Sequence, residues 1–191
     1  MDTPPTAFDP RFEAAWNAAQ DWPAWLETVQ DKRDVWEANA RRASVRADEA
    51  ARLSDLPGAR RVLVLTEDWC GDAARSVPVI AAALAAAPQV SARYLSLDEQ
   101  PEAVAPYLTH GGRAIPIAIV QDEHGRELGA WGPRPAPLQA LFRARRRELG
   151  APDPAGMAAF YAPIMAWYGK DEGVTTVQEL LLLLERGGSP R

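Results

Sequence analysis

The chain is 191 residues long, which allows one compact domain with an appendage but is short for two full domains. Hydrophobic residues make up 47% of the sequence and charged residues 25%, values that are typical of a folded globular protein and exclude wholesale disorder. A formal net charge of -5 disfavours a dedicated nucleic-acid-binding protein, because such a protein needs a broad positive surface.

Cys70 is the only cysteine, so no disulfide can form within the chain. With only His110 and His124 beside it, a Cys/His zinc site is hard to assemble, and we expect neither a metal nor another cofactor. The first residues lack the charged and apolar regions of a signal peptide, and no apolar run approaches the ~18 residues of a membrane span. We therefore expect a cytoplasmic protein that binds neither nucleic acid nor membrane.

Residues 8–56 carry apolar side chains at helical spacing, which predicts an N-terminal arm of two helices joined near Asp21 and Pro23. Asp21 can cap the second helix, and Pro23 is tolerated in its first turn. The terminators Pro57 and Gly58 end the arm. The arm contains four tryptophans, which are Trp16, Trp22, Trp25 and Trp36. We expect these side chains to pack the arm onto the following domain rather than to bind a ligand.

The hydrophobic pattern changes after the arm. The continuous apolar run of residues 62–65 predicts a strand that is buried on both faces. An alanine-rich helix over residues 73–87, interrupted by Pro78, is predicted next, followed by a strand over residues 90–97. A helix over residues 99–109 then completes a β-α-β-α pattern.

The next part of the chain predicts a β-β-α unit. Two short strands are expected over residues 117–120 and 127–131, around a hairpin turn at residues 122–125. A helix over residues 135–149 follows.

Two further helical segments, at about 154–168 and 174–186, form a C-terminal tail. The sequence therefore predicts three regions. These are an N-terminal helical arm at residues 1–57, an α/β core at 58–150 and a C-terminal helical tail at 151–191.

Cys70 lies between the predicted buried strand and the first turn of the helix that follows it. Unpaired backbone N–H groups and the helix dipole favour an anion at this position, and therefore favour the thiolate. The thiolate is the nucleophile in disulfide exchange, and open α/β sheets place their ligands at this end of a strand. We expect the thiol at the surface end of the sheet, although a lone cysteine is more often a small buried hydrophobic residue.

Residues 69–73, Trp-Cys-Gly-Asp-Ala, resemble the W-C-G-x-C motif of the thioredoxin superfamily, with Cys70 at the position of its nucleophile. Pro78 lies where the active-site helix of that family carries a proline. The resemblance covers about residues 58–149. The motif is similar to that of bacterial thioredoxin family proteins carrying Trp-Cys-Gly-Asp. It implies a thioredoxin-like α/β fold with the helical arm and tail outside it, and it implies that Cys70 is catalytic.

The same resemblance implies a substrate-binding groove. Ile115 and Pro116 resemble the cis-proline dipeptide that faces the nucleophile in the family. Trp69, Gly71 and Asp72 surround the cysteine in the motif. We expect these five residues to bind substrate, and we expect the Ile115–Pro116 bond to be cis.

The chain also departs from the family pattern. Ala73 replaces the resolving thiol, so a two-cysteine cycle of attack and intramolecular release cannot run. Val64 replaces the buried carboxylate that serves thioredoxins as a proton relay. Glu67, Asp68 and Asp72 add negative charge near the sulfur, which opposes the helix dipole, so we expect only modest activation of the thiol.

Other cysteine-dependent functions fit less well. Peroxiredoxins have a threonine three residues before their cysteine, whereas Thr66 lies four residues before Cys70. Monothiol glutaredoxins carry C-G-F-S and a downstream glycine pair, whereas this motif continues as Gly-Asp-Ala and Gly132 is followed by Pro133. A Cys/His hydrolase would need His110 beside the thiol, but that histidine is better explained as part of a helix exit.

Two functions remain open. The first is monothiol-disulfide exchange through Cys70, in which an external thiol resolves the mixed disulfide and the partners are protein or small-molecule thiols and disulfides. The second is a non-catalytic thioredoxin-fold module that holds protein segments through backbone hydrogen bonds. The sequence carries no signal for the substrate or the oligomeric state.

Overall fold

The computed structural model describes residues 9–97 and 114–186. In chain order, the elements are α1 (Pro10–Ala18), α2 (Trp22–Thr28), α3 (Arg33–Arg42), α4 (Ala47–Ser54), β1 (Arg60–Thr66), α5 (Ala73–Ala85), β2 (Val90–Ser96), β3 (Ile117–Asp122), β4 (Glu127–Trp131), α6 (Ala136–Leu149), α7 (Met157–Asp171) and α8 (Val174–Leu184). The helix predicted over residues 99–109 lies outside the described residues. No helix within them has the length and apolar character needed to cross a membrane.

Within the described residues the sheet has the strand order β2-β1-β3-β4. Strand β1 is parallel to β2 and antiparallel to β3, and β3 and β4 form an antiparallel hairpin. The side chains of residues 62–65 are fully buried. The apolar run therefore forms a central strand that is covered on both faces, as predicted, because successive strand side chains lie on opposite faces and all four are buried.

The arm contains four helices within residues 9–56, so the prediction of two helices is wrong. Asp21 does cap α2 as expected, since its carboxylate accepts a hydrogen bond from the N–H of Ala24 at 2.9 Å. The unpredicted break between α2 and α3 has a tertiary cause. The N–H groups of Gln30 and Asp31 both donate to Oδ2 of Asp68, each at 2.9 Å, instead of continuing a helix.

The second unpredicted break lies between α3 and α4. Val45 in this break packs against the main hydrophobic core. At the start of α4, the N–H of Arg46 donates to the carboxylate of Glu49 at 3.4 Å. Packing of the Val45 side chain and a new helix start therefore replace the continuous helix that periodicity alone predicts.

The arm tryptophans anchor it to the sheet, as predicted. Trp25 and Trp36 are 3% and 0% exposed, and their ring centroids lie 4.9 Å apart. Trp22 packs on Tyr94 of β2 with 5.2 Å between ring centroids. Backbone hydrogen bonds of 2.9 and 2.8 Å also join Gln20 to Tyr94, so the arm covers the outer edge of β2.

The two tail helices pack in different places. Helix α8 contributes Leu180, Leu181 and Leu184 to the same hydrophobic core as the arm and the sheet. Buried Arg60 of β1 donates to the carbonyl of Leu184 at 3.2 Å and so satisfies the last turn of α8. Helix α7 instead packs against α6 in a smaller cluster built on Leu138, Ile164 and Tyr168.

Gly132, directly after β4, lies against the backbone of Pro116 before β3. Its φ is +128°, and a Cβ atom added there would lie 2.1 Å from the carbonyl oxygen of Pro116. Only glycine fits this close approach of two backbones. Gly132 therefore fixes the position of Pro116 relative to the hairpin.

We predict that Gly132→Ala lowers the free energy of unfolding by more than about 1 kcal/mol, because the methyl group collides with backbone and the φ angle is strained. Gly169→Ala is the matched control, since Gly169 lies in α7 with no atom within 4 Å of an added Cβ. This control should stabilise the chain by about 0.5–1 kcal/mol through helix propensity. Urea unfolding measures both, and equal effects of the two substitutions would contradict the close contact.

The contact of Asp68 with the arm predicts a pH-dependent contribution to stability. Burial acts to raise the pKa of Asp68, but the N–H donors of Asp31 and Gln30 outweigh it and hold the pKa below its ordinary value. The carboxylate therefore stabilises the fold above its ordinary pKa of about 3.9, and this contribution is lost as the pH falls through the lowered folded value.

We predict that Asp68→Ala lowers the free energy of unfolding by about 1–2 kcal/mol at pH 7, because it removes the acceptor of two backbone hydrogen bonds. The difference from wild type should shrink at acid pH, which urea unfolding at pH 7 and in the acid range measures. Glu148→Ala, at an exposed position near the end of α6, should cause no loss. A loss of the same size at both pH values would contradict the role of the Asp68 charge.

Candidate functional site

Cys70 lies two residues before Asp72, the N-cap residue of helix α5. The chain leaves β1 through a short turn in which the N–H of Cys70 donates to the carbonyl of Glu67 at 3.2 Å. The carbonyl of Cys70 then accepts the N–H of Ala74 at 3.0 Å, which is the first hydrogen bond of helical type. The N–H groups of Asp72 and Ala73, at the start of α5, are donors to the sulfur.

The sulfur of Cys70 lies next to the dipeptide that the sequence predicts as its partner. The Sγ–H group donates to the carbonyl oxygen of Ile115, with 3.5 Å between sulfur and oxygen. The Ile115–Pro116 peptide bond is cis. The structure therefore brings Cys70 and Ile115 together, although they are 45 positions apart in the sequence.

The thiol is less accessible than the sequence predicts. Cys70 follows the end of β1, as expected, but is only 8% exposed, so the prediction of a surface thiol is wrong. The physical reason is that the cysteine packs within the main hydrophobic core, next to the buried side chains of Ile115 and Ala73.

Burial raises the pKa of the Cys70 thiol above its ordinary value, because the thiolate is poorly solvated there. The N–H of Ala73 hydrogen-bonds the sulfur and opposes this rise. The negative charge of Asp72 adds to the rise, while its own N–H and the charge of Arg134 oppose it. The expectation of modest activation therefore has the wrong direction, since desolvation outweighs the helix N-terminus.

Trp69 and Gly71 flank the thiol on its solvent side. Trp69 is 51% exposed, and its carbonyl accepts a hydrogen bond from Nζ of Lys32 at 2.6 Å. The carbonyl of Gly71 accepts one from Nη1 of Arg75 at 2.9 Å. A Cβ added to Gly71 would meet Arg75 at an ordinary 3.8 Å, so packing does not require a glycine there.

The carboxylate of Asp72 is occupied within the chain. Asp72 is only 6% exposed, and it accepts hydrogen bonds from Nη2 of Arg134 and, at 2.9 Å, from the hydroxyl of Tyr168. Ser76 also donates to the oxygen of Tyr168 at 3.5 Å. The guanidinium of Arg134 lies over the ring of Phe142, with 3.9 Å to its centroid. The motif residue Asp72 is thus joined to the segment before α6 and to the tail.

Sequence reasoning missed Arg134 and Tyr168. They lie 62 and 96 positions from Asp72, and no spacing rule connects residues so far apart. The one local signal is that a buried acidic side chain requires a partner. This signal can be used only when the burial of Asp72 is already known.

Val64 on β1 stands where the family carries its relay carboxylate, and it is a fully buried hydrocarbon side chain. Position 64 therefore supplies no proton relay. Across residues 9–97 and 114–186, no cluster of three histidine, cysteine or acidic side chains is arranged to hold a metal ion. The chemistry available at the described site is therefore that of one thiol beside backbone donors, an exposed indole and a buried ion pair.

Two solved structures have a similar fold. A protein of unknown function, PA1234, from Pseudomonas aeruginosa has a TM-score of 0.68 and 17% sequence identity, over 91% of this chain and 96% of that one. An HIV epitope-scaffold has a TM-score of 0.66 and 18% identity, over 91% of this chain and 97% of the scaffold. These identities are low, so the likeness concerns the fold alone. No curated protein matches the chain.

A family model described as Thioredoxin matches residues 19–148. This range is more than half of the chain and contains the sheet, the loop that carries Cys70 and helix α5. The matched range also begins inside the helical arm, before α2. Because both the family match and the solved structures agree with the observed mixed α/β architecture, we conclude that this chain belongs to the thioredoxin family and has a thioredoxin-like fold.

Proposed function

We propose that the protein carries out thiol-disulfide exchange as a monothiol, with Cys70 as the attacking group and an external thiol as the resolving group. The observation that carries this proposal is the position of the sulfur, two residues before the N-cap of α5 and 3.5 Å from the carbonyl oxygen of Ile115. Exposed Trp69 next to the thiol supports it, because an aromatic side chain gives a substrate apolar surface to pack against.

The proposed reaction has two balanced steps. The Cys70 thiolate attacks one sulfur of a disulfide R–S–S–R, which forms a Cys70–S–S–R bond and releases RS⁻, which takes up a proton. A second external thiol R′–SH, as its thiolate, then attacks the mixed disulfide. This step forms R–S–S–R′ and returns Cys70 to the reduced state, so the external thiol supplies the electrons.

The release step needs an external thiol because the chain holds no other cysteine. Ala73 stands three residues after Cys70, where a resolving thiol would lie, and it is fully buried. The N–H of Ala73 is a donor to the sulfur, and this contact favours the thiolate during attack and during release.

The raised pKa of Cys70 determines the pH dependence of the proposed reaction. Only the thiolate attacks, so the rate should increase with pH up to the raised pKa. Close to neutral pH most of the thiol is protonated, and exchange should be slow.

Burial of the sulfur also supports a second function, that of a non-catalytic module for protein segments. A thiol that is 8% exposed and donates to the carbonyl of Ile115 is well placed to be structural. In this alternative, Trp69 and the backbone beside Pro116 would hold an extended segment without sulfur chemistry.

We predict that wild-type protein incubated with oxidised glutathione or hydroxyethyl disulfide at pH 8–9 gains the mass of one small thiol at Cys70. Intact-mass spectrometry measures the adduct, and dithiothreitol should remove it. Cys70→Ser is the matched control, because a serine is close to cysteine in size and keeps a donor and acceptor but cannot form a disulfide. A chain that remains unmodified while fully folded would contradict exchange and favour the binding module.

We predict that Ala73→Cys increases the rate of insulin reduction by dithiothreitol over wild type. Residues three apart in a first helical turn bring their Cα atoms to about 5–6 Å, which a disulfide accepts. The new thiol then resolves the mixed disulfide at an effective concentration that reaches about the millimolar range. Ala73→Ser is the matched control, because it fills the buried site with a similar volume but supplies no thiol. If Ala73→Cys forms its disulfide but turns over no faster than Ala73→Ser, Cys70 does not attack disulfides.

A further inference from the structure

We propose that the C-terminal tail is a working part of the thiol site. In this proposal Tyr168 of α7 and Arg134 are positioning residues that hold the carboxylate of Asp72 and offset its negative charge beside the sulfur of Cys70. The inference deepens the proposed exchange reaction and rests on it, because it assigns to the tail the control of the attacking thiol.

The first step of the argument is the position of Asp72. This residue is the N-cap of α5 and lies two positions after Cys70. Aspartate is among the strongest N-cap residues, yet Asp72 makes no side-chain cap bond to α5. Its carboxylate is bound elsewhere, and its negative charge acts to raise the pKa of the Cys70 thiol.

The second step identifies what binds the carboxylate. One oxygen of Asp72 accepts from Nη2 of Arg134, and the other accepts from the hydroxyl of Tyr168 at 2.9 Å. The side chains of Asp72 and Arg134 are 7% and 10% exposed, so this ion pair is largely removed from water. Breaking a buried pair leaves an unpaired charge, which is strongly unfavourable, so the pair holds Asp72 firmly in place.

The third step concerns the hydroxyl of Tyr168. Burial raises the pKa of this group well above its ordinary value, and the nearby charge of Asp72 raises it further. Tyr168 therefore stays protonated and donates to Asp72 over the whole working pH range. The cluster of Leu138, Ile164 and Tyr168 between α6 and α7 sets the position of this donor.

The other charged groups near the loop are held by their own contacts. Lys32 of the arm donates to the carbonyl of Trp69, and Arg75 of α5 donates to the carbonyl of Gly71. Asp68 accepts from the backbone of the arm, and neighbouring Glu67 also has an interaction partner. The charges that act on the sulfur itself are those of Asp72 and Arg134, which have opposite signs.

The experiment measures the rate of Cys70 alkylation by iodoacetamide as a function of pH, on the full chain. Tyr168→Phe leaves one carboxylate oxygen of Asp72 without its donor, so the negative charge beside the sulfur is less well compensated. We expect the alkylation profile to move to higher pH, with a rate at pH 8 that is about threefold lower, equivalent to about half a pKa unit. Asp72→Asn should move the profile in the opposite direction, because it removes the negative charge.

The decisive variant combines both substitutions. If Tyr168 acts through Asp72, Tyr168→Phe should have no further effect on the profile in the Asp72→Asn background. Tyr161→Phe is the matched control, because Tyr161 lies on the same helix and in the same apolar cluster. It should leave the profile unchanged. A purely structural loss in the tail would instead move the profile equally in both backgrounds.

Two results would overturn the proposal. One is a folded Tyr168→Phe protein, verified by its thermal melt, with the wild-type profile. The other is an unchanged profile in Asp72→Asn, which decides the matter even if Tyr168→Phe fails to fold. Alkylation needs no disulfide, so a shifted profile without mixed-disulfide formation would contradict the exchange reaction but support the positioning role. An unchanged alkylation profile together with intact mixed-disulfide formation would contradict the positioning role but support the exchange reaction.

Discussion

The buried carboxylate of Asp72 is the constraint on which the site depends. Asp72 is the N-cap residue of helix α5, but its side chain makes no cap bond to that helix. It accepts hydrogen bonds from Arg134 and Tyr168 instead. The negative charge of Asp72 and the positive charge of Arg134 act on the sulfur of Cys70 in opposite directions. The local chemistry of a short motif is thus decided by residues far outside it.

The same principle holds on the other side of the motif. The carboxylate of Asp68 accepts backbone hydrogen bonds from Gln30 and Asp31 in the helical arm. The arm and the tail therefore each bind one acidic residue of the loop that carries the cysteine.

Local sequence signals predicted the parts of the fold that depend on neighbouring residues. The apolar run of residues 62–65 predicted the buried central strand, and Asp21 predicted the start of α2. The break between α2 and α3 was missed because it depends on Asp68, which is 37 and 38 positions from the groups it binds. The raised pKa of Cys70 and the partners of Asp72 were missed for the same reason, since burial and contacts across 62 and 96 positions leave no local pattern.

The most direct test of this account is to follow the backbone amide resonance of Ala73 by NMR across a pH titration. If the sulfur of Cys70 is the acceptor for this N–H, the resonance should shift with the titration of the thiol, at the same midpoint as the alkylation rate. In Asp72→Asn this midpoint should move to lower pH, because the negative charge beside the sulfur is removed. A resonance that does not respond to the thiol, or a midpoint that Asp72→Asn leaves unchanged, would contradict the account.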